Sequence, residues 1–192
     1  IYDGYNAPYA TSSTTRIAYA NDTATSSPKG KLVDSQYGPQ FRRKATGDGS
    51  YGYWFGGTQP NSAQSSTNSR LDFSNDTATA SPKGPLSTPV TFGSAFSGRE
   101  NQFSDVGKVT DKGSDGYTSP RPAGYGYIMG GDGGPAGSNN PAQKIDFAND
   151  TATATQKAAP ALPGGPAKQT TSVGNHNYPY STNGRYNSTV HR

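Results

Sequence analysis

Residues Asn21 to Gly30 read NDTATSSPKG, Asn75 to Gly84 read NDTATASPKG, and Asn149 to Ala158 read NDTATATQKA. A ten-residue stretch spelled three times is a structural period, and a period is read before any motif because it governs the whole fold. Outward from this stretch the alignment extends without gaps over Arg16 to Gly30 (RIAYANDTATSSPKG), Arg70 to Gly84 (RLDFSNDTATASPKG) and Lys144 to Ala158 (KIDFANDTATATQKA). Upstream of the last two lies a second shared element, YGYWFGGTQP from Tyr51 and YGYIMGGDGG from Tyr125. The step from Tyr53 to Arg70 equals the step from Tyr127 to Lys144. The units follow as 1–50, with a shortened first strand, 51–124 with an insertion at 87–124, 125–172, and a C-terminal orphan strand or tail at 173–192. Insertions in repeat proteins often form the working surface.

Each unit reads as a small antiparallel sheet. Tyr51, Tyr53 and Phe55 alternate with Gly52 and Trp54, which suits a strand that leaves through Gly56-Gly57, where permissive backbone angles allow a sharp exit. Period two puts Leu71 with Phe73 on one inward face, and likewise Ile17 with Tyr19 and Ile145 with Phe147. Asn and Asp tolerate left-handed backbone and bond neighbouring amides, so Asn75-Asp76 reads as a hairpin turn. Thr77 to Ala80 then reads as a third strand, broken by Pro82-Lys83-Gly84. On this reading the repeated decapeptide is scaffold rather than site.

Composition agrees with a β-rich chain that has a thin core. Of 192 residues only 29% are hydrophobic, while 25 Gly and 15 Pro supply turns and 13 Tyr with abundant Thr supply strand formers. Mean hydropathy is -0.86. Charged residues are only 16%, whereas disordered chains more often combine low hydrophobicity with high net charge. No Cys is present, so neither a disulfide framework nor a cysteine metal site can form. The net charge of +4 comes from scattered Lys and Arg, with one short run at Arg42, Arg43 and Lys44, which reads as a solvated loop rather than a nucleic-acid surface. No apolar run approaches the roughly 20 residues of a membrane helix, so no membrane insertion is expected. The start IYDGYN, without Met, points to processing or to a fragment.

A strand ending in Gly-Gly, a variable loop, a strand of the form Arg-hydrophobic-Asp-aromatic, an Asn-Asp turn and a further strand resemble the Kelch-type β-propeller repeat. More closely, YGYWFGG, RLDFSNDTATASPKGPLS and ATGDGSYGY resemble Kelch-like repeats in bacteriophage tail-fibre and structural proteins. The resemblance covers about two thirds of the chain and omits the insertion. It implies an all-β fold of tandem antiparallel blades, a β-propeller that is incomplete or completed by oligomerisation. Closed propellers take about 4–8 blades, and three Asn-Asp-Thr elements are present.

The two ends carry fragments of the same unit. Val173 to Tyr180 (VGNHNYPY) resembles Thr46 to Tyr53 (TGDGSYGY), and Tyr2-Asp3-Gly4-Tyr5 is a shortened first strand without the Gly-Gly exit. An unpaired strand recruits an edge. The tail from Val173 to Gly184 is therefore expected to pair outside its own blade, on a neighbouring copy, with Tyr178 and Tyr180 as its inward residues.

Chemistry is thinly represented. The two His residues, His176 and His191, both lie in the tail, without partnering motifs for a metal centre or a Ser/His/Asp triad. The propeller oxidase that uses a cysteine-modified tyrosine needs a Cys that this chain lacks. Asp22, Asp76 and Asp150 recur at turns and Asp72 and Asp146 on strands, but one carboxylate per turn is a poor calcium cage. The Gly130 to Gly134 run lacks the Lys-Ser/Thr of a phosphate loop. No cofactor, metal or catalytic residue is assigned, and the chain is read as not an enzyme. Asn21, Asn75, Asn149 and Asn187 fit the N-glycosylation pattern and become acceptors only if a glycosylating organism secretes the chain. Most Tyr side chains are read as core, while those from Tyr117 to Tyr127 at the edge of the insertion fit a core and a glycan platform equally.

The expected function is a structural protein of a virus particle, such as a tail fibre, tail component or capsid decoration, located in the virion. Expected partners are copies of itself and other structural proteins. The alternatives are a secreted microbial filament or surface-layer subunit assembling by strand exchange, and a carbohydrate-binding adhesion module at the cell surface that binds glycans.

Overall fold

A computed structural model describes residues 11–18, 20, 23–97, 124–131, 141–157, 171–174, 179–182 and 190–191. Within them the protein is all-β, with helix confined to two three-residue 3₁₀ turns, Phe73–Asn75 and Phe147–Asn149. Within each sheet the strands pair antiparallel in sequence order. The first sheet holds β1 (Thr14–Arg16) and β2 (Ser27–Lys29). The second runs β3 (Lys44–Gly47), β4 (Tyr51–Phe55), β5 (Asn68–Asp72) and β6 (Ser81–Lys83). The third repeats that order with β7 (Ser94–Ser97), β8 (Tyr125–Met129), β9 (Gln143–Asp146) and β10 (Thr155–Gln156). The fourth joins β11 (Thr171–Gly174), β12 (Pro179–Thr182) and β13 (Val190–His191). Among the described residues no sheet closes on itself.

The equal spacing in the sequence becomes equal register. Tyr53 stands opposite Arg70, and Tyr127 opposite Lys144. Each four-stranded sheet has a leading strand upstream of the shared tyrosine element: β3 precedes Tyr51, and β7 lies within 87–124. The signal was present in TGDGSY, because an Asp-Gly pair favours a tight hairpin. Asp48 Oδ1 indeed accepts from the amides of Ser50 (2.7 Å) and Tyr51 (2.8 Å). The rest of the insertion, 98–123, lies outside the described residues.

The last strand of the unit also needs correction. Thr77 to Ala80 is a turn and coil, and the strand begins at Ser81, so it contains the Pro82-Lys83 expected to break it. Pro82 is tolerated because β6 is the edge of its sheet, where a missing amide costs no ladder bond on the open side.

The Gly-Gly exits hold: Gly56, Gly57, Gly130 and Gly131 all have positive φ. The glycine between the tyrosines has a different role. A Cβ on Gly52 would press first on the Trp54 ring and then on the Phe73 ring, and one on Gly126 on the Phe147 ring, so each glycine makes room for the aromatic of its sheet's 3₁₀ turn.

The sheets stack through two equivalent cores. Leu32, Trp54, Leu71 and Ala80 join the first sheet to the second. Leu86, Ile128, Ile145 and Ala154, the matching positions one unit later, join the second to the third, with Tyr53, Phe55, Val90 and Phe147 added. β4 is thus buried on both faces, Trp54 toward one neighbour and Tyr53 with Phe55 toward the other, rather than having one inward face. The expected inward set is only partly observed. Leu71, Ile145 and Phe147 are buried, but Ile17 and Phe73 are 52% and 46% exposed. Tyr19 lies outside the described residues.

The tail is not a lone strand. β11 pairs with β12, setting Val173 opposite Tyr180, and β12 pairs with β13, so the partners expected on a neighbouring copy come from this chain. The register repeats that of the earlier sheets, since Gly174 faces Pro179 as Gly47 faces Gly52. The leading strands of the sheets adjoin. Ser97 Oγ of β7 donates to the Gly47 carbonyl of β3 (2.6 Å), and Ser172 Oγ of β11 donates to the Ala95 carbonyl of β7 (3.0 Å).

Candidate functional site at the Asn-Asp turns

The repeated turn is held by its preceding acid. Asp72 ends β5 in extended conformation, and its Oδ1 accepts from the amide (2.8 Å) and hydroxyl (2.6 Å) of Ser74, capping the 3₁₀ turn. Those bonds, the hydroxyl's first, hold the Asp72 carboxyl below the usual carboxylate range. Asp146 caps its turn the same way through the Ala148 amide (2.9 Å). Capping by Asp72 and Asp146 leaves the acid of the Asn-Asp pair free to reach another sheet.

Asp150, carried by the third sheet, lies on the second. Its Oδ2 accepts from Arg70 Nη1 (2.7 Å) and from the Tyr53 hydroxyl (3.0 Å), while Oδ1 lies 3.2 Å from Lys83 Nζ. Its backbone carbonyl accepts from the Gly84 amide (2.8 Å). One unit earlier Asp76 repeats the arrangement on the first sheet. Oδ2 accepts from Arg16 Nη1 (2.7 Å), Oδ1 lies 3.3 Å from Lys29 Nζ, and the carbonyl accepts from the Gly30 amide (2.8 Å). Each interlock is closed by a further backbone bond, Ala80 N to Lys31 O and Ala154 N to Pro85 O.

The glycine of Pro-Lys-Gly is required by close approach. A Cβ on Gly30 would collide with the Ala78 carbonyl, and one on Gly84 with the Ala152 carbonyl. Bulk is excluded there.

The interlocks differ in depth. Phe147 stacks on Tyr53 at 4.5 Å between centroids and covers the second one, whereas in the first Arg16 is 60% exposed. Burial, then the negative charge of Asp150 and its hydrogen bond, push the Tyr53 hydroxyl well above its ordinary value. Burial works against the charge of Arg70, but its hydrogen bonds and the charges of Tyr53 and Asp150 outweigh it and raise its value.

Sequence reasoning placed Asp76 and Asp150 in turns but gave them no distant partner. The available signal was joint recurrence. A cation stands at 16, 70 and 144, a second at 29, 83 and 157, and an acid at 22, 76 and 150. Tyrosines 51 and 125 also recur, each beneath a cation: the Arg70 guanidinium lies 4.3 Å from the Tyr51 centroid and Lys144 Nζ 3.3 Å from that of Tyr125.

Of the other candidate residues, Asn75 and Asn149 are exposed at the ends of the 3₁₀ turns, each accepting from the Thr two residues on, at 3.4 and 3.5 Å. Tyr180 lies in β12 and His191 in β13, while Asn21, Asp22, His176, Tyr178 and Asn187 lie outside the described residues. Among the described residues no three His, Cys, Asp or Glu side chains group as a metal site, and no helix is long and apolar enough to cross a membrane. Comparison with protein-family models finds none that matches the chain, and a search of curated proteins likewise returns no match.

Proposed function

We propose that this chain is a non-enzymatic structural protein, a component of a virus particle such as a tail fibre or capsid decoration, in which the repeats are the scaffold. One observation carries the scaffold reading: the acids that recur at the described turns are engaged with cations of the preceding sheet, both carboxylate oxygens occupied. A general acid or a metal ligand would need an oxygen left over. The virus-particle reading is supported by the likeness of YGYWFGG and RLDFSNDTATASPKG to Kelch-like repeats of bacteriophage structural proteins.

On this proposal the sheets are blades. Support comes from the strand order, which runs the same way through both four-stranded sheets, and from the leading strands β3, β7 and β11, which adjoin as the innermost strands of successive blades would. Negative-stain microscopy of the native source, with gold-labelled antibody against the chain, tests the proposal. Label on tailed or icosahedral particles is the expected result. Label on bare filaments or cell envelopes, or turnover by the purified chain that D150N abolishes while the fold persists, would overturn it.

A further inference from the structure

The Lys83–Asp150 contact differs from a surface ion pair. Lys83 Nζ lies 3.2 Å from Asp150 Oδ1, and the two side chains are only 12% and 8% exposed. Their backbones are pinned beside the contact, since the Gly84 amide donates to the Asp150 carbonyl (2.8 Å) and the Ala154 amide to the Pro85 carbonyl (2.9 Å). The far carboxylate oxygen, Oδ2, takes two donors, Arg70 Nη1 and the Tyr53 hydroxyl. Phe147, stacked on Tyr53, closes the site. An amine fixed against a carboxyl group, with donors on the far oxygen and water kept out, is the arrangement that amide formation requires.

We propose that Lys83 and Asp150 condense after folding into an amide bond that links the second sheet to the third covalently. The step balances within the pair and needs no co-reactant. The Lys83 ammonium passes one proton to Asp150 Oδ1, and the freed amine attacks Cγ, whose π electrons move onto Oδ2. Arg70 and Tyr53 hold that oxyanion. When the adduct collapses, the carbonyl to Oδ2 re-forms, the Cγ–Oδ1 bond breaks, and Oδ1 leaves as water with a second proton from the nitrogen. The product is a secondary amide whose oxygen, Oδ2, still accepts from Arg70 and Tyr53. Condensation removes two charges from a site that water scarcely reaches, which lowers the desolvation cost of the interlock. Arg70 keeps its place over the Tyr51 ring, 4.3 Å from the centroid. The first interlock is built for the ionic form only. Lys29 Nζ lies 3.3 Å from Asp76 Oδ1, but no tyrosine hydroxyl among the described residues joins Arg16 on Oδ2, and Arg16 is 60% exposed.

This inference rests on the scaffold reading of the turns, and the experiment separates the two. The full chain, purified in urea and refolded at neutral pH, would lose the mass of one water by intact-mass spectrometry. A tryptic digest would then contain a branched peptide joining Lys83 to Asp150. K83R keeps the cation and would keep its full mass, as would the native chain held in urea. In Y53F the linked fraction would accumulate roughly a hundredfold more slowly, through loss of one donor to the oxyanion. A refolded chain that keeps its full mass would overturn the bond. So would a water loss that persists in K83R, as cyclisation at an aspartate would give. An unchanged rate in Y53F would overturn the part assigned to Tyr53. An unlinked chain leaves the scaffold reading standing, because the ion pairs of Asp76 and Asp150 still join the sheets.

Discussion

Tyr53 shares one carboxylate oxygen with Arg70, and that sharing sets both its worth and its response to pH. Tyr53→Phe keeps the ring that packs between Phe55 and Phe147 and deletes one bond to a charged acceptor, a loss of about 1.5–3 kcal/mol in urea unfolding. The hydroxyl holds its proton more tightly in the folded chain than in the unfolded chain, where it titrates near 10. The stabilisation is therefore complete below about pH 10 and is lost as pH rises beyond it, because the unfolded state then binds fewer protons than the folded one. Urea midpoints between about pH 9 and 11 should fall more steeply for the native chain than for Y53F; equal slopes would contradict the assignment. Asp150→Asn strips the counter-charge from Arg70 and Lys83, the latter only 12% exposed, and should cost about 2 kcal/mol or more. Asp76→Asn should cost less than Asp150→Asn, because Lys29 is as buried as Lys83 but Arg16 is 60% exposed and no tyrosine hydroxyl joins the pair. A D76N variant as unstable as D150N would show that exposure does not govern these pairs.

Among the elements, the two 3₁₀ turns share a sequence pattern but not an environment. Phe147 and Phe73 each fold over the glycine of their own sheet, yet Phe147 is also pressed onto Tyr53 of the sheet before it. Phe147→Ala should cost about 3 kcal/mol by leaving a void between two sheets, while Phe73→Ala should cost under about 1 kcal/mol. Thermal or urea unfolding of the two variants checks this, and equal losses would mean that the stack is not a real contact. The β4 strand shows how neighbours alter an element. A period-two pattern implies one wet face, but β4 is sandwiched, so Trp54 is as buried as Tyr53. Trp54 Nε1 finds no hydrogen-bond partner among the described residues, which marks this layer as packed for shape rather than for polar pairing.

At the scale of the molecule, stability comes from layers joined by copies of one interface. Leu32 and Leu86 hold matching positions in separate cores, so Leu32→Ala and Leu86→Ala should each cost about 2–4 kcal/mol. With no shared contacts the double variant should match the sum within about 0.5 kcal/mol. Urea unfolding tests this, and a clear departure from additivity would mean that the two cores act as one. The larger core around Tyr53 should also hold β4 and β5 longest in amide exchange, and the two-stranded first sheet should open earlier.

The sequence by itself determined the all-β class, the repeat and its register, and the Gly-Gly exits, because each depends on local chemistry: alternation, turn residues and backbone freedom at glycine. The leading strands escaped it, since Lys44 to Gly47 and Ser94 to Ser97 are short and carry little apolar signal. The edge strand at Pro82 escaped it because whether a proline can be tolerated depends on which side of the strand has a neighbour. Only the tertiary structure decided what the recurring acid does. Asp150 is 80 residues from Arg70 and 97 from Tyr53, and no local rule connects them. The twist and stacking of one sheet on the next bring the carboxylate to its cations, so an acid that looks like turn chemistry in the sequence becomes the bond between sheets.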